Sequence, residues 1–185
     1  IIVTGGASVA NINTIAALTT GAVTATITDT TAAALTGITE AGNNLSITIG
    51  DTSVAAADIA TIDALTVTAV DASAATTITG TNAEIVAAYA LNTATTTTGL
   101  GNEAITPSDT SLTVAQVNTL AGLTTGVVTA TITEGDMATL AGIAETGHAY
   151  TVTVTDTTAT GLSLTQLDAK TTVAVNASAV TTITG

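Results

Sequence analysis

Two sets of side chains recur in this sequence at spacings that suit chemistry. The first is the marker Asp-Thr-Thr or Asp-Thr-Ser at Asp29, Asp51, Asp109 and Asp156, with Asp71-Ala-Ser and Asn176-Ala-Ser as variants. Asp29, Asp51 and Asp71, and again Asp156 and Asn176, stand 20 to 22 residues apart, with longer intervals on either side of Asp109, a beat such as the coils of a winding chain have. If each opens one turn, stacking sets the carboxylates roughly 5 Å apart along an edge. Like charges repel there, and an oxygen-seeking Ca2+ could bridge them. No EF-hand loop or glycine-rich nonapeptide accompanies the markers, so capping of helix N-termini is the simpler role, with Ca2+ at the Asp corners the one cofactor the pattern leaves open. The second set is Thr-x-Thr: Thr24, Thr26 and Thr28; Ser46 and Thr48; Thr129, Thr131 and Thr133; Thr151, Thr153 and Thr155. Stacked in parallel, these give a flat lattice of hydroxyls and methyls suited to an ordered surface such as ice, another crystal or a glycan. Thr is also a good outward-facing strand residue that resists slippage of register.

The inventory for catalysis is thin. His148 is the only histidine and there is no cysteine, so a zinc site lacks ligands, and neither a P-loop nor a dinucleotide fingerprint is present. His148 follows Gly147 and reads as a solvated loop histidine. Gly5-Gly6 and Gly99-Leu100-Gly101 read as turns. Glu40 with Glu145, and Asp63 with Asp168, recur at one phase and read as solvated loop charges rather than as catalytic dyads. The chain therefore reads as a protein that is not an enzyme.

The elements that must position these residues follow from an internal repeat. Positions 1–80 align with 106–185, an offset of 105, without a gap, and 37 of the 80 pairs are identical. Such recurrence suits a stacked architecture, in which an insertion disturbs every neighbouring layer. Residues 1–80 are then a partial copy, 81–185 a full copy, and 1–185 one continuous solenoid. Within the repeat, Val23–Thr28, Leu45–Ile49, Val128–Thr133 and Tyr150–Thr155 alternate with period 2, as half-buried strands do. Their inward set is Val23, Ile27, Ile47, Ile49, Val128, Ile132, Val152 and Val154. Apolar residues three apart mark short helices at Val9, Ile12, Ile15 and Leu18; at Val114, Val117, Leu120 and Leu123; at Met137, Leu140 and Ile143; and at Ile59 and Ile62. Ala83–Leu91 is the best helical stretch. Gly21, Gly42, Gly126 and Gly147 fall where helix turns into strand, the position that favours positive φ. The fold class expected is a repeat solenoid of coils of about 21 residues, with a parallel β-sheet on one face and short helices or turns on the other.

Composition bounds the function. The apolar content is 46% of 185 residues, yet there is no Phe, Trp or Cys and only two Tyr, which favours thin layers over a globular core. Fourteen acidic residues face one Lys and no Arg, a net charge of −13, so no basic patch exists for nucleic acid or for anionic lipid. No apolar run approaches the ~20 residues of a membrane span. A mean hydropathy of +0.60 argues against disorder. Scarce basic and aromatic residues offer little to common proteases, which fits an extracellular setting. The chain begins without Met and ends at the repeat phase of Gly80, and it reads as a window of something longer.

The stretches Val70-Asp-Ala-Ser73, Thr76-Thr-Ile-Thr-Gly-Thr-Asn-Ala-Glu-Ile-Val86, Gly99-Leu-Gly-Asn-Glu-Ala-Ile-Thr106 and Asp109-Thr-Ser-Leu-Thr-Val-Ala-Gln-Val-Asn-Thr-Leu120 resemble the Thr/Ala-rich repeats of giant cell-surface proteins of marine unicellular cyanobacteria. The resemblance covers most of the chain and implies a surface or extracellular component, linked in some members to motility or adhesion, with no catalytic residues to transfer. The expected function is an extracellular or cell-surface structural or adhesive repeat protein forming a stalk, filament or coat. A surface-binding module using the Thr face or Ca2+-bridged corners is the alternative. The expected partners are further repeats or copies of the chain end to end, because neither end shows a charged or proline-bearing cap.

Overall fold

The computed structural model describes residues 1–185, which form two compact units, Ile1–Gly101 and Asn102–Gly185. The first unit runs β1 (Ile2–Ala7), α1 (Val9–Ala16), β2 (Thr24–Ile27), α2 (Ala32–Leu35), β3 (Asn44–Ser46), β4 (Ser53–Ala55), α3 (Ala56–Asp63), β5 (Val70–Asp71), β6 (Thr77–Gly80), α4 (Asn82–Thr93) and β7 (Thr97–Thr98). The second runs β8 (Ala104–Pro107), α5 (Val114–Ala121), β9 (Thr129–Thr131), α6 (Met137–Leu140), β10 (Ala149–Thr151), β11 (Thr158–Thr160), α7 (Gly161–Asp168) and β12 (Thr182–Thr184). The fold is α/β, with short parallel strands in open sheets and seven helices. No helix is long and apolar enough to cross a membrane.

Strand pairing within each unit is parallel, and its register repeats. Thr24 pairs with Asn44 as Thr129 pairs with Ala149. Asn43 bridges Thr66 as His148 bridges Thr171, and Thr48 bridges Asp71 as Thr153 bridges Asn176. Ser53 pairs with Thr77 as Thr158 pairs with Thr182. Every one of these second-unit pairings is its first-unit counterpart displaced by one repeat. The pairing of β5 with β7, where Val70 meets Thr97, spans a longer stretch of chain because β6 and α4 lie between the two strands.

The alternating segments fold as their pattern dictates. All eight residues of the expected inward set are buried, none more than 6% exposed, while the Thr residues between them face solvent. Regular strand hydrogen bonding covers only part of each alternating run; Ile47, Ile49, Val152 and Val154 continue the buried phase beyond β3 and β10.

Six of the seven helix starts are capped by a hydroxyl or a carboxylate, and α3, with Ala55 at its N-cap, has no side-chain cap. Ser8, Thr31, Thr113, Thr160 and Asp136 each accept the amide three residues on, and Thr81 with Glu84 and Thr113 with Gln116 form reciprocal capping boxes. The helix ends differ from the expectation. Every C-cap residue is right-handed, and although Gly42 and Gly147 do take positive φ (+80° and +84°), Gly21 and Gly126 do not. Gly126 is required for space: a Cβ there would overlap the Glu103 carbonyl. Gly5-Gly6 is not a turn but part of β1, whose register against β2 shifts between Ile2 and Gly6, with Gly5 at φ +85°. The Thr28 side chain occupies the volume that a Cβ on Gly6 would need.

The alternation makes a paired prediction. Ile47→Ala removes a buried side chain and is expected to lower stability by about 3 kcal/mol, whereas Thr48→Ala on the exposed phase is expected to stay within about 0.5 kcal/mol. Urea unfolding of the two variants checks this, and comparable losses would mean the facing is wrong.

Candidate functional site

The acidic markers are helix clamps, but not in the way their sequence position suggests. Asp29 does not cap the helix that follows it; its Oδ2 accepts the Val9 amide at 2.7 Å, at the start of α1 one turn earlier. Asp51 likewise accepts from Ala32 at 2.6 Å, and Asp156 from Met137 at 2.5 Å. Each of these helices thus has two acceptors at its first turn, a hydroxyl or carboxylate on its own N-cap residue and a carboxylate from the next turn, where the helix dipole favours negative charge. The carboxylate that does this for α5 is Glu134, which accepts the Val114 amide at 3.0 Å. Glu134 holds the position of Asp29 one repeat later, so the repeat offset identifies it where the Asp-Thr-Ser motif does not. Asp109 shares the motif but aligns with Thr4, and it lies exposed between β8 and α5. Asp71 acts within its own turn, accepting from the Ser73 amide at 3.0 Å. Hydrogen bonds from the Ser73 hydroxyl and amide hold its carboxyl below the usual range. Asn176 makes the same turn with the Ser178 amide at 3.1 Å. The five aspartates expected to line one edge are therefore dispersed in role, and no three His, Cys, Asp or Glu side chains gather around a common point.

A second family of links joins turns through neutral groups. Asn13 accepts from the Thr39 amide at 3.0 Å and donates to the Gly37 carbonyl at 2.8 Å; Asn118 does the same with Ala144 and Gly142 at 3.0 and 2.8 Å. The Thr66 hydroxyl accepts from the Leu45 amide at 3.0 Å and lies 2.8 Å from the Leu45 carbonyl; Thr171 repeats this on Tyr150 at 2.9 and 2.7 Å. Asp63, read from sequence as a solvated charge, accepts from the buried Thr97 hydroxyl at 2.9 Å.

His148 belongs to this family and is not a solvated loop residue. It is 7% exposed, and its Nδ1 accepts the Val128 amide at 3.1 Å. Asn43, its repeat equivalent, accepts the Val23 amide through Oδ1 at 2.8 Å. An imidazole nitrogen that accepts must be unprotonated, so the neutral ring carries its proton on Nε2. Burial pushes the imidazole below its usual pKa, and the Glu145 carboxylate opposes that shift. Its ring lies 5.3 Å from that of Tyr150, tilted by 40°. Tyr150 stands where the first copy has Leu45; its hydroxyl is buried without a hydrogen-bond partner, and burial, with Glu145, pushes it up to about 12.

The ten threonines proposed for a binding face, Thr24, Thr26, Thr28, Thr48, Thr129, Thr131, Thr133, Thr151, Thr153 and Thr155, are all exposed, but their rows are mixed. Thr131 pairs with Thr151, and Thr26 with Ser46 on one side and Gly6 on the other. Thr24 meets Asn44, whose amide donates to its hydroxyl at 3.3 Å, and Thr129 meets Ala149. Thr48 and Thr153 bridge Asp71 and Asn176. Thr155 covers Gly135 as Thr28 covers Gly6, and the Thr133 hydroxyl donates to Ser111 at 3.0 Å. The hydroxyl lattice is thus interrupted by amide, carboxylate and glycine positions.

No protein-family model, curated protein or solved structure matches this chain.

Asp51 provides the test of the clamps. Asp51→Ala leaves the Ala32 amide without its acceptor and is expected to cost about 1–2 kcal/mol, with Asp51→Asn, which keeps an acceptor oxygen, losing less. Thermal melts with Ca2+ and with chelator separate the readings: a Ca2+-dependent rise in Tm abolished by Asp51→Asn would assign this corner to metal instead.

Proposed function

We propose that this chain is a structural repeat protein of the extracellular or cell-surface kind, contributing length and inertness to a stalk, filament or coat, and that its units are stretches of parallel solenoid. The observation that supports this best is the recurrence of one set of links at a constant offset. Asn13 and Asn118, Asn43 and His148, Thr66 and Thr171, Asp29 and Glu134, and Asp51 and Asp156 each join one turn to a neighbouring one in the same manner. The side chains with chemical potential are engaged in holding turns together, and a composition with one Lys and no Arg presents few cleavage points. Both features suit a durable outer component better than a catalyst.

Association with further repeats or other copies of the chain is the second part of the proposal. In the first unit α4 packs on α3, and Ile59, Val70, Ala72 and Ile78 are fully buried. Their equivalents Leu164, Val175 and Ala177 on and after α7 are only half-buried, and Ile183 in β12 is 67% exposed. A turn of the Thr81–Gly101 type stacked on α7 and β12 would cover them. At the other extreme, Ile1 and Ile2 are exposed as well.

Two measurements test these statements. Immunolabelling of the native source is expected to place the full-length protein outside the cell or on its surface, and a cytoplasmic monomer would overturn the functional reading. Sedimentation of the chain is expected to show association that rises with concentration and falls in Ile183→Asp; a parent chain that stays strictly monomeric would remove the case for stacking.

A further inference from the structure

Among the links between turns, the Val23–Asn43 and Val128–His148 pair is the one in which the two copies differ in acid–base chemistry. Both links use a buried acceptor to hold the backbone amide at the entry to a strand, β2 or β9, from a residue 20 positions later. An amide oxygen accepts at any ordinary pH. An imidazole nitrogen accepts only while neutral, since protonation turns both ring nitrogens into donors.

We propose that His148 makes the second unit acid-sensitive: protonation sets an N–H at Nδ1 against the Val128 N–H, opening the side-chain link at the start of the β9–β10 pairing, while Asn43 keeps the corresponding link of the first unit closed. Two donors facing one another in a buried position leave both unsatisfied. The remaining contacts at this residue stay as they are, because Thr172 donates through its amide, at 2.9 Å, to the His148 backbone carbonyl and not to its ring. The response is therefore a local loosening at Val128, with the backbone pairing of β9 and β10 left in place.

The surroundings of the ring support a single titration. Glu145, three residues earlier and exposed, is the one charged group acting on it, and it favours the imidazolium; burial outweighs it, so the shift is downward. Tyr150 stays protonated across the relevant range. The strand residues Thr129–Thr131 and Ala104–Pro107 carry no ionisable side chain, nor does the Thr171–Val173 segment beside His148. Lys170 precedes that segment and donates its ammonium to the Ala144 carbonyl at 2.9 Å. Because the native state holds His148 neutral and the unfolded state has an ordinary imidazole, with a pKa of about 6.5, the unfolded chain binds more protons below that pH. The stabilisation from this link is complete above about pH 6.5 and is lost as pH falls through it towards the lower native value.

Amide hydrogen exchange on the intact chain reads the two links separately. After correction for the intrinsic rate, protection of the Val128 amide is expected to drop about tenfold between pH 7.5 and 5.5, with that of the Val23 amide changing less than twofold. His148→Asn should abolish the drop at Val128. Asn43→His should create one at Val23, and this reciprocal variant keeps the test alive if the first fails to fold. Equal protection of Val128 at both pH values, or a pH response that survives His148→Asn, would overturn the proposal.

Discussion

Backbone amides in the first turn of a helix have no carbonyl partner within it, and in this protein several of them, with two more at strand starts, are met by side chains 19 or 20 residues further along. That constraint organises the rest. The amides of Val9, Ala32, Val114 and Met137 are met by carboxylates 19 or 20 residues later, and those of Val23 and Val128 by Asn43 and His148. An unpaired buried amide costs about 1–3 kcal/mol, so each acceptor must arrive at one position in space, and the separation of donor and acceptor stays at 19 or 20 residues. A gap-free repeat suits this, since adding one residue would misplace the acceptor of every link that spans it.

The same constraint accounts for the thin core. Paired strands stand only ~4.8 Å apart, and short Asn, Asp and Thr side chains make most of the links to backbone across that distance, with Glu134 and His148 the longer ones. The buried apolar side chains are nearly all Ile, Val, Leu and Ala, with Tyr89 and Tyr150 the larger exceptions. Tyr150, standing in place of Leu45, brings a hydroxyl that finds no partner.

What was legible in the sequence divides along this line. Local patterns were: the alternation around Ile27 and Val152 gave the buried phase correctly, the three-residue spacing from Val9 gave α1, and Ala83–Leu91 falls inside the longest helix. Roles that depend on register across a turn were not. Asp29 precedes α2 yet serves α1, Asp109 carries the motif without the phase, and Glu134 carries the phase without the motif. His148 reads as solvated because it follows a glycine in an irregular stretch, although it aligns with Asn43, and both accept the amide of the residue 20 positions earlier. Gly126 and Gly6 answer to the close approach of a neighbouring turn rather than to their own dihedral freedom, and no local pattern reports that.

The side-chain links between turns reach only 19 to 26 residues along the chain wherever Asn13, Asp51, Asn118 and Asp156 make them. Links of that range carry no information about how many repeats lie beyond. Duplication or deletion of a whole repeat, as in recombination between misaligned copies of a gene, would leave the local acceptors of each remaining turn in place. Loss of a single codon would not. Selection could therefore adjust the number of repeats in large steps while holding the length of each repeat fixed.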